Sequence, residues 1–246
     1  MTKETKKWWE STSDYYQKET KIPIDIHYGP GSPNENKLKL LGDINGKNIL
    51  EIGCGGAQCG VAMAKKGAKV IGIDISEEQL KFAKKLAIKN KVNVKFYQGD
   101  IRKLPQIKSN SQDIVFSAFA LHYIDNLLIC FREVNRVLKN NGTFVFSFPH
   151  PFYRTIDSNT LKIKESYFKT GKITKIFSDP TKKFVAYNYT TSELYNLLIK
   201  SGFYVEQILE PDSRKRHRDP WYGLWDYTPK LLKMVPPTII FKAKKK

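Results

Sequence analysis

Short apolar runs and longer amphipathic stretches alternate along the first 149 residues, and that rhythm predicts the architecture. Asn48-Ile49-Leu50-Glu51-Ile52 is a mostly apolar run ending in glycines, the pattern of a strand buried on both faces. A helix over 59–66 follows, with Gly67 as the residue that closes it. Lys69-Val70-Ile71-Gly72-Ile73-Asp74 predicts a second strand. Ser76 then offers a hydroxyl to the next helix, and Glu77 and Glu78 place negative charge at its positive end; this helix runs to about residue 90. Residues 93–98 alternate as a third strand and 113–117 form a fourth. A helix over 126–138 is stopped by Asn140-Asn141-Gly142, and 142–148 form a fifth strand. Strands separated by single helices imply right-handed crossovers and a parallel sheet.

After Pro149 the rhythm breaks. Residues 150–190 are rich in Lys, Thr, Ser and Tyr, with alternating stretches such as Leu161-Lys162-Ile163-Lys164 and Ile173-Thr174-Lys175-Ile176. These read as an inserted antiparallel cap, with a long loop as the alternative. Thr190-Thr191-Ser192-Glu193 caps a helix to Ser201, and Gly202 ends it. A sixth strand over 203–209, a basic aromatic loop over 211–235 and a last strand over 238–243 complete the chain. The expected organisation is a lid segment over 1–45, a nucleotide-binding core over 46–149, a substrate cap over 150–189 and the rest of the core sheet over 190–246.

Composition narrows the class. At 246 residues, 41% apolar and 27% charged, the chain reads as a soluble globular protein with one α/β domain and an insertion. No apolar run approaches a membrane span, and the charged start of the chain lacks the apolar segment of a secretory signal. Three cysteines make no even framework, so a reduced, cytoplasmic protein is expected. The formal charge of +18 has two readings: an electrostatic footprint for nucleic acid or an acidic membrane surface, or a solvated lysine-rich exterior. Within it, Arg214-Lys215-Arg216-His217-Arg218 is the run best suited to an anion, because guanidinium pairs bidentately with phosphate or carboxylate.

The chemistry concentrates at strand ends. In an open α/β sheet, ligands sit beyond the carboxyl ends of the strands. The first strand runs into Gly53-Cys54-Gly55-Gly56-Ala57-Gln58-Cys59-Gly60, where missing side chains allow a tight turn and close approach to a ligand. Alone, that loop also fits a nicotinamide-dependent dehydrogenase or a plain βα turn. Asp74 ends the second strand about twenty residues on, placed to accept bonds from both hydroxyls of a ribose. Asp100 ends the third, placed for the exocyclic amine of an adenine. Glu51 stands at the entrance of the loop, where a pyrophosphate would disfavour an anion but a cationic amino-acid end would welcome one. The ligand so described contains an adenosine and no pyrophosphate.

Ile49-Leu50-Glu51-Ile52-Gly53-Cys54-Gly55-Gly56 resembles the first motif of class I S-adenosylmethionine-dependent methyltransferases. Gly72-Ile73-Asp74-Ile75-Ser76, Gly99-Asp100-Ile101 and Asp113-Ile114-Val115-Phe116-Ser117 resemble the next three. The likeness spans 46–149, and 190–211 resembles the family's later helix and strand. It implies a seven-stranded Rossmann-like sheet with an antiparallel last strand, and S-adenosylmethionine as methyl donor with S-adenosylhomocysteine as product. It further implies that Gly53 and Gly55 approach the methionine part and that Glu51 helps place its amino group. Asp74 would hold the ribose, Ile75 would pack on the adenine, Asp100 and Ile101 would bind and flank it, and main chain at Ser117-Ala118 would line the methionine end. Ala57 departs from the pattern, standing where many members have a third glycine.

A sulfonium methyl is already activated, so such an enzyme mainly aligns a nucleophile and, where needed, removes its proton. His122 after the fourth strand and His150 after the fifth are the candidate bases, each with a structural role as the alternative. Tyr15 and Tyr16 share an N-terminal helix with Trp8 and Trp9; Tyr16 is the candidate to reach the methionine carboxylate, and a plain core face is the alternative. His27-Tyr28 belongs to lid or loop, and His217 to the basic run. For the acceptor, Tyr153, Tyr167, Phe168, Tyr187, Tyr189, Trp221, Tyr222 and Trp225 suit a planar or apolar small molecule in a closed pocket. Stacked bases beside cations suit them too, so an RNA or tRNA methyltransferase stands as the alternative, although Ser117-Ala118-Phe119-Ala120 replaces the Asn-Pro-Pro-Tyr-type sequence of adenine amino-group methylases. A non-catalytic S-adenosylmethionine-binding protein is a third reading. No metal site is expected.

Overall fold

The structure, a computed structural model, describes residues 3–176, 183–215, 220–221 and 227–246. Helix α1 (Lys3–Thr20) and the short α2 (Glu35–Leu38) precede the sheet. Then come β1 (Asn48–Ile52), α3 (Gln58–Lys65), β2 (Lys69–Asp74), α4 (Glu77–Lys89), β3 (Val94–Gln98) and β4 (Gln112–Ser117). They are followed by α5 (Leu127–Val137), β5 (Leu138–Pro149), the hairpin β6 (Gly171–Ile176) and β7 (Lys183–Asn188), α6 (Thr191–Lys200), β8 (Phe203–Leu209), α7 (Pro229–Leu232) and β9 (Thr238–Lys245). The main sheet has the order β3-β2-β1-β4-β5-β9-β8; β9 runs antiparallel to both neighbours and the first five strands are parallel. This is a class I, Rossmann-like α/β architecture.

The strand pattern explains why both sheet faces are covered. Alternate side chains separate into two cores, Leu50, Val115, Phe144, Phe146 and Phe241 on one face and Ile49, Ile114, Phe116, Val145 and Ile240 on the other. Antiparallel pairing sets Phe146 opposite Phe241 with rings stacked 5.1 Å apart, which ties β9 into the centre of the fold. Local signals close the helices as expected. Gln79 N–H donates to Ser76 Oγ (3.2 Å), and Thr190 and Glu193 form a reciprocal capping box on α6.

Two sequence expectations change. Asn140-Asn141-Gly142 is not a helix stop: Leu138 leaves α5 in an extended conformation, and the three residues form an irregularity inside β5, with Asn141 at φ +60°. The register jumps there, from Gln112 opposite Leu138 to Ile114 opposite Thr143. The cap is antiparallel, but only 171–188 builds it, and the 161–164 stretch contributes a single bridge, Ile156 to Ile163. Tyr28 lies in the loop between α1 and α2, where it is fully buried under the sheet and its hydroxyl donates to the Glu35 carboxylate.

The order of strands reverses between β1 and β4, and the crevice beyond their carboxyl ends is the switch point where such sheets bind ligands. Helix α1 and the β6–β7 hairpin pack over that crevice. Among the described residues no helix is long and apolar enough to cross a membrane.

Candidate active site

The turn after β1 is shaped by backbone conformations that only small residues take easily. Gly53 sits at φ +66°, and a Cβ there would lie 2.3 Å from the Ala120 Cβ, so the turn abuts the chain leaving β4. Gly55 follows at φ +52°, and Ala57 at φ +58°, a left-handed conformation that explains why glycine suits the third position. Asp74 holds this loop from the end of β2: its Oδ2 accepts from Gly55 N–H (2.8 Å) and its Oδ1 from Ser76 N–H (2.9 Å). Each oxygen keeps a lone pair for a further donor. Burial pushes the Asp74 carboxyl up to about 6, against the opposing pull of those N–H groups.

Glu51 occupies a harsher position. It is 3% exposed, and its Oε2 has no hydrogen-bond partner. Burial, opposed by the Gly60 N–H and assisted by the charge of Asp74, raises its carboxyl to about 8. Glu51 also lines the cavity, which places this buried carboxyl to complement a ligand ammonium.

The other wall begins where β4 ends. Phe119 adopts φ +57°, a left-handed conformation costly for a bulky residue, and its N–H donates to Ser147 Oγ (3.0 Å). A 3₁₀ turn over Leu121–Tyr123 then delivers His122 to the cavity. His122 is 7% exposed among the rings of Phe119, Tyr123 and Phe148, and its Nδ1 has no partner. Burial lowers its pKa to about 3, so the imidazole is neutral at physiological pH.

Helix α1 roofs the site. Glu10 accepts from the N–H groups of Glu77 (2.8 Å) and Glu78 (3.2 Å), an anion on the positive end of α4. Gln17 donates to Gln79 Oε1 (2.8 Å) and accepts from Gln58 Nε2 (2.7 Å), closing a chain of three amides beside the glycine loop. Trp9 contacts both Tyr16 and Tyr123, and Trp8 contacts Phe184 of β7, so the helix bridges the cofactor loop to the cap. Tyr16 faces inward and shares a 3.5 Å contact with the Trp221 indole N–H; burial lifts its hydroxyl to about 12. Tyr15, on the opposite face, is 65% exposed and takes no part.

Together these elements enclose a cavity of about 480 Å³. Tyr16, Glu51, Gly53, Gly55, Asp74, Ile75, Ala118, His122 and His150 all line it. Three expected residues do not. Asp100 is bound by the Arg102 guanidinium (Nη2 to Oδ2 2.6 Å, Nε to Oδ1 3.1 Å), which also reaches Asp125 (2.6 Å). Burial opposes ionisation of Asp100, while the hydrogen bonds from Arg102 pull its carboxyl down. Ile101 lies in the core with Leu104 and Ile107, because the turn after β3 folds its side chain inward. Ser117 is fully buried and its Oγ donates to Ile52 O (2.9 Å), fastening β4 to β1 instead of facing the cavity. His150 lines the cavity but has both ring nitrogens engaged: Nδ1 accepts from Phe152 N–H (3.2 Å), so Nε2 carries the proton, donated to Glu210 (2.8 Å). Both ring nitrogens are thus engaged in bracing the turn. His217, Tyr222 and Trp225 lie outside the described residues. Arg214, the described end of the basic run, pairs with Asp212 (2.8 Å).

Sequence reasoning missed Gln17, Gln58 and Gln79, as well as Asn188 on β7, which also lines the cavity. Gln58 and Gln79 sit beside motifs already singled out, but Gln17 reaches them only through the docking of α1.

A family model described as "Methyltransferase domain" matches residues 44–202. The chain belongs to that family. An uncharacterised protein of Haemophilus influenzae is 31% identical over 94% of this chain and 93% of its own length. The crystal structure of an S-adenosylmethionine-dependent methyltransferase from Mesorhizobium loti superposes with a TM-score of 0.68 at 26% identity, covering 85% of this chain and 95% of that one. A ubiquinone biosynthesis O-methyltransferase of Serratia proteamaculans is 27% identical, and the match spans 58% of that enzyme. This methyltransferase is thus a class I enzyme that uses S-adenosylmethionine. Its residues fit that cofactor, since the orphaned Glu51 oxygen awaits a cation and the Gly53 turn is a cradle that a side chain would fill.

Proposed function

We propose that this methyltransferase acts on a small-molecule acceptor held between the core and the β6–β7 cap, with 1–45 as lid and 150–189 as acceptor cap. The observation that carries the reading is the roofed cavity itself, acidic toward the glycine loop and aromatic toward the cap. A roof made by α1 suits a small molecule better than a polynucleotide. The Serratia O-methyltransferase likeness supports an oxygen acceptor.

Bound in the cavity, S-adenosylmethionine supplies a methyl group activated by its sulfonium charge. Glu51 would pair with the ammonium, Asp74 with the ribose hydroxyls, and Gly53 and Gly55 would let the chain approach the methionine portion. Tyr16, whose burial keeps its hydroxyl protonated, would donate to the carboxylate. Ile75 and Ala118 would pack along the ligand. Asp100 and Ile101 would shape the adenine end only through the fold, because Arg102 occupies the Asp100 carboxylate. Ser117 would fix the strand end that carries Ala118.

His122 would receive the acceptor's proton through Nδ1. With a pKa of about 3 it cannot strip a phenol beforehand. The gap of about 7 units from a phenol near 10 amounts to roughly 10 kcal/mol. An oxygen that is taking on a methyl group becomes strongly acidic, so the proton moves late, during or after bond formation. His122 therefore orients the hydroxyl first and accepts its proton second.

The test is calorimetry with S-adenosylhomocysteine, followed by labelled methyl transfer into a metabolite extract and into bulk tRNA. Label in a small molecule and none in tRNA is the expected outcome. Label confined to tRNA would overturn the reading.

A further inference from the structure

The cap end of the cavity carries polar groups for which the methyl donor has no use. Pairing of β6 with β7 sets Lys175 opposite Phe184 and Ile173 opposite Ala186, and these side chains line the cavity together with Asn188. Asn188 is 7% exposed, and its Nδ2 has no hydrogen-bond partner. His122 leaves Nδ1 equally unsatisfied, and its turn meets β7 through the Tyr123–Phe184 ring contact at 5.7 Å. Leaving a buried polar group unsatisfied is costly, so two of them on residues that line one cavity mark a place for a polar ligand.

The charges in this cavity are divided. Glu51 and Asp74 lie at the glycine-loop end, whereas Arg154, Lys164 and Lys175 line the cap end. The acidic residue among the latter, Glu165, is taken up by Arg154 (3.3 Å) and Lys169 (3.4 Å). Lys164 and Lys175 are exposed, which puts their charge at the mouth. Between the two ends stand aromatic faces, with Phe148 and Tyr189 edge to face at 6.0 Å. A cavity acidic at one end suits the cationic donor; a basic rim beyond aromatic walls suits an anion on a flat ring.

We propose that the acceptor is a planar aromatic anion, a ring bearing a carboxylate or phosphate together with the hydroxyl to be methylated. This deepens the small-molecule reading above and rests on it. The ring lies against Phe148 and Phe184, Asn188 donates to an oxygen of the ligand, His122 takes the hydroxyl proton, and Lys164 and Lys175 face the anion. The atoms balance simply. The new O–CH3 bond replaces the S–CH3 bond, the hydroxyl proton leaves through His122, and the donor loses its positive charge as the neutral thioether.

The experiment uses the full chain saturated with S-adenosylhomocysteine, whose own titration is recorded first. Failure of that titration overturns the methyl-donor assignment, and with it this proposal. Binding of 4-hydroxybenzoate, hydroxyphenyl phosphate and neutral 4-hydroxybenzamide is then compared by calorimetry. The charged probes are expected to bind about tenfold more tightly than the amide, an advantage that weakens with salt and shrinks to about twofold in the Lys164→Met/Lys175→Met variant. Asn188→Ala is expected to weaken the charged probes about tenfold while leaving S-adenosylhomocysteine affinity unchanged. Which charged probe binds more tightly identifies the anion. Equal binding of charged and neutral probes, or no binding of any probe to protein that does take S-adenosylhomocysteine, overturns the proposal.

Discussion

Replacing Glu51 with glutamine should stabilise the free protein and weaken cofactor binding in the same molecule. The carboxyl is raised from an ordinary 4.5 to about 8 by burial, so the folded state holds the proton more tightly than the unfolded chain. The sign follows from linkage. The stability that this proton contributes is fully present below pH 4.5 and is lost as the pH rises through about 8. Between those limits the loss is about 1.4 kcal/mol per pH unit, so at pH 7 the wild type has lost about 3 kcal/mol relative to pH 4. Glutamine imitates the protonated acid and titrates nowhere. Glu51→Gln and wild type should therefore match near pH 4, and the variant should be more stable by about 3 kcal/mol at pH 7, or roughly 6–12 °C in Tm for a chain of this size. Urea unfolding of both proteins at pH 4, 5, 6, 7 and 8 measures the divergence. Calorimetry adds a second readout. At pH 7 the wild type should release about one proton when S-adenosylhomocysteine binds, because the ligand ammonium forces Glu51 to ionise, and the variant should release almost none. Parallel stability profiles, or equal proton release, would refute the placement of a protonated Glu51 opposite the amino group.

Three further outcomes follow from the geometry. Asp74→Ala removes both a ribose contact and the anchor of the Gly55 N–H, so S-adenosylhomocysteine affinity should fall about 10- to 100-fold; unchanged affinity in a titration would show that the ribose lies elsewhere. Gly53→Ala should cost about 2–4 kcal/mol, since its φ is +66° and its Cβ would meet Ala120 at 2.3 Å, and a Tm within 2 °C of wild type would contradict that turn. His122→Gln should lower kcat about 10- to 100-fold with S-adenosylhomocysteine affinity unchanged, and the wild-type kcat profile should show no inflection from this residue between pH 5 and 8; equal losses in kcat and cofactor affinity would make His122 a structural residue.

Much of the glycine-loop end of the cavity was legible because its residues are local. Glu51, Gly53, Gly55 and Asp74 sit at or beside strand ends, where the period of the pattern and a few glycines place them within a residue or two. The capping signals at Ser76 and Thr190 act over three residues and were equally readable. Reading failed where a short-range rule met a longer-range contact. Asn140-Asn141-Gly142 has the composition of a helix stop, but β4 pairs on both sides of it and draws it into β5 as an irregularity. Asp100 does not end its strand, since β3 stops at Gln98, and Arg102 two residues further on, with Asp125 beyond, changes what the Asp100 carboxylate faces.

The roles of the two histidines show the same division. Both follow strands on the ligand side, and nothing in their local sequence separates them. Glu210, sixty residues from His150, together with the Phe152 N–H, satisfies both nitrogens of one ring, whereas the aromatic packing around His122 leaves Nδ1 bare. By itself the sequence determined the sheet and the donor class, because periodicity, turns and caps act between near neighbours. Only the tertiary structure decided which histidine is free, how α1 closes the roof through Glu10 and Gln17, and that the cavity is acidic at one end and basic at the other. Those properties depend on burial and on partners far apart in the chain, and both come into being only when the elements pack.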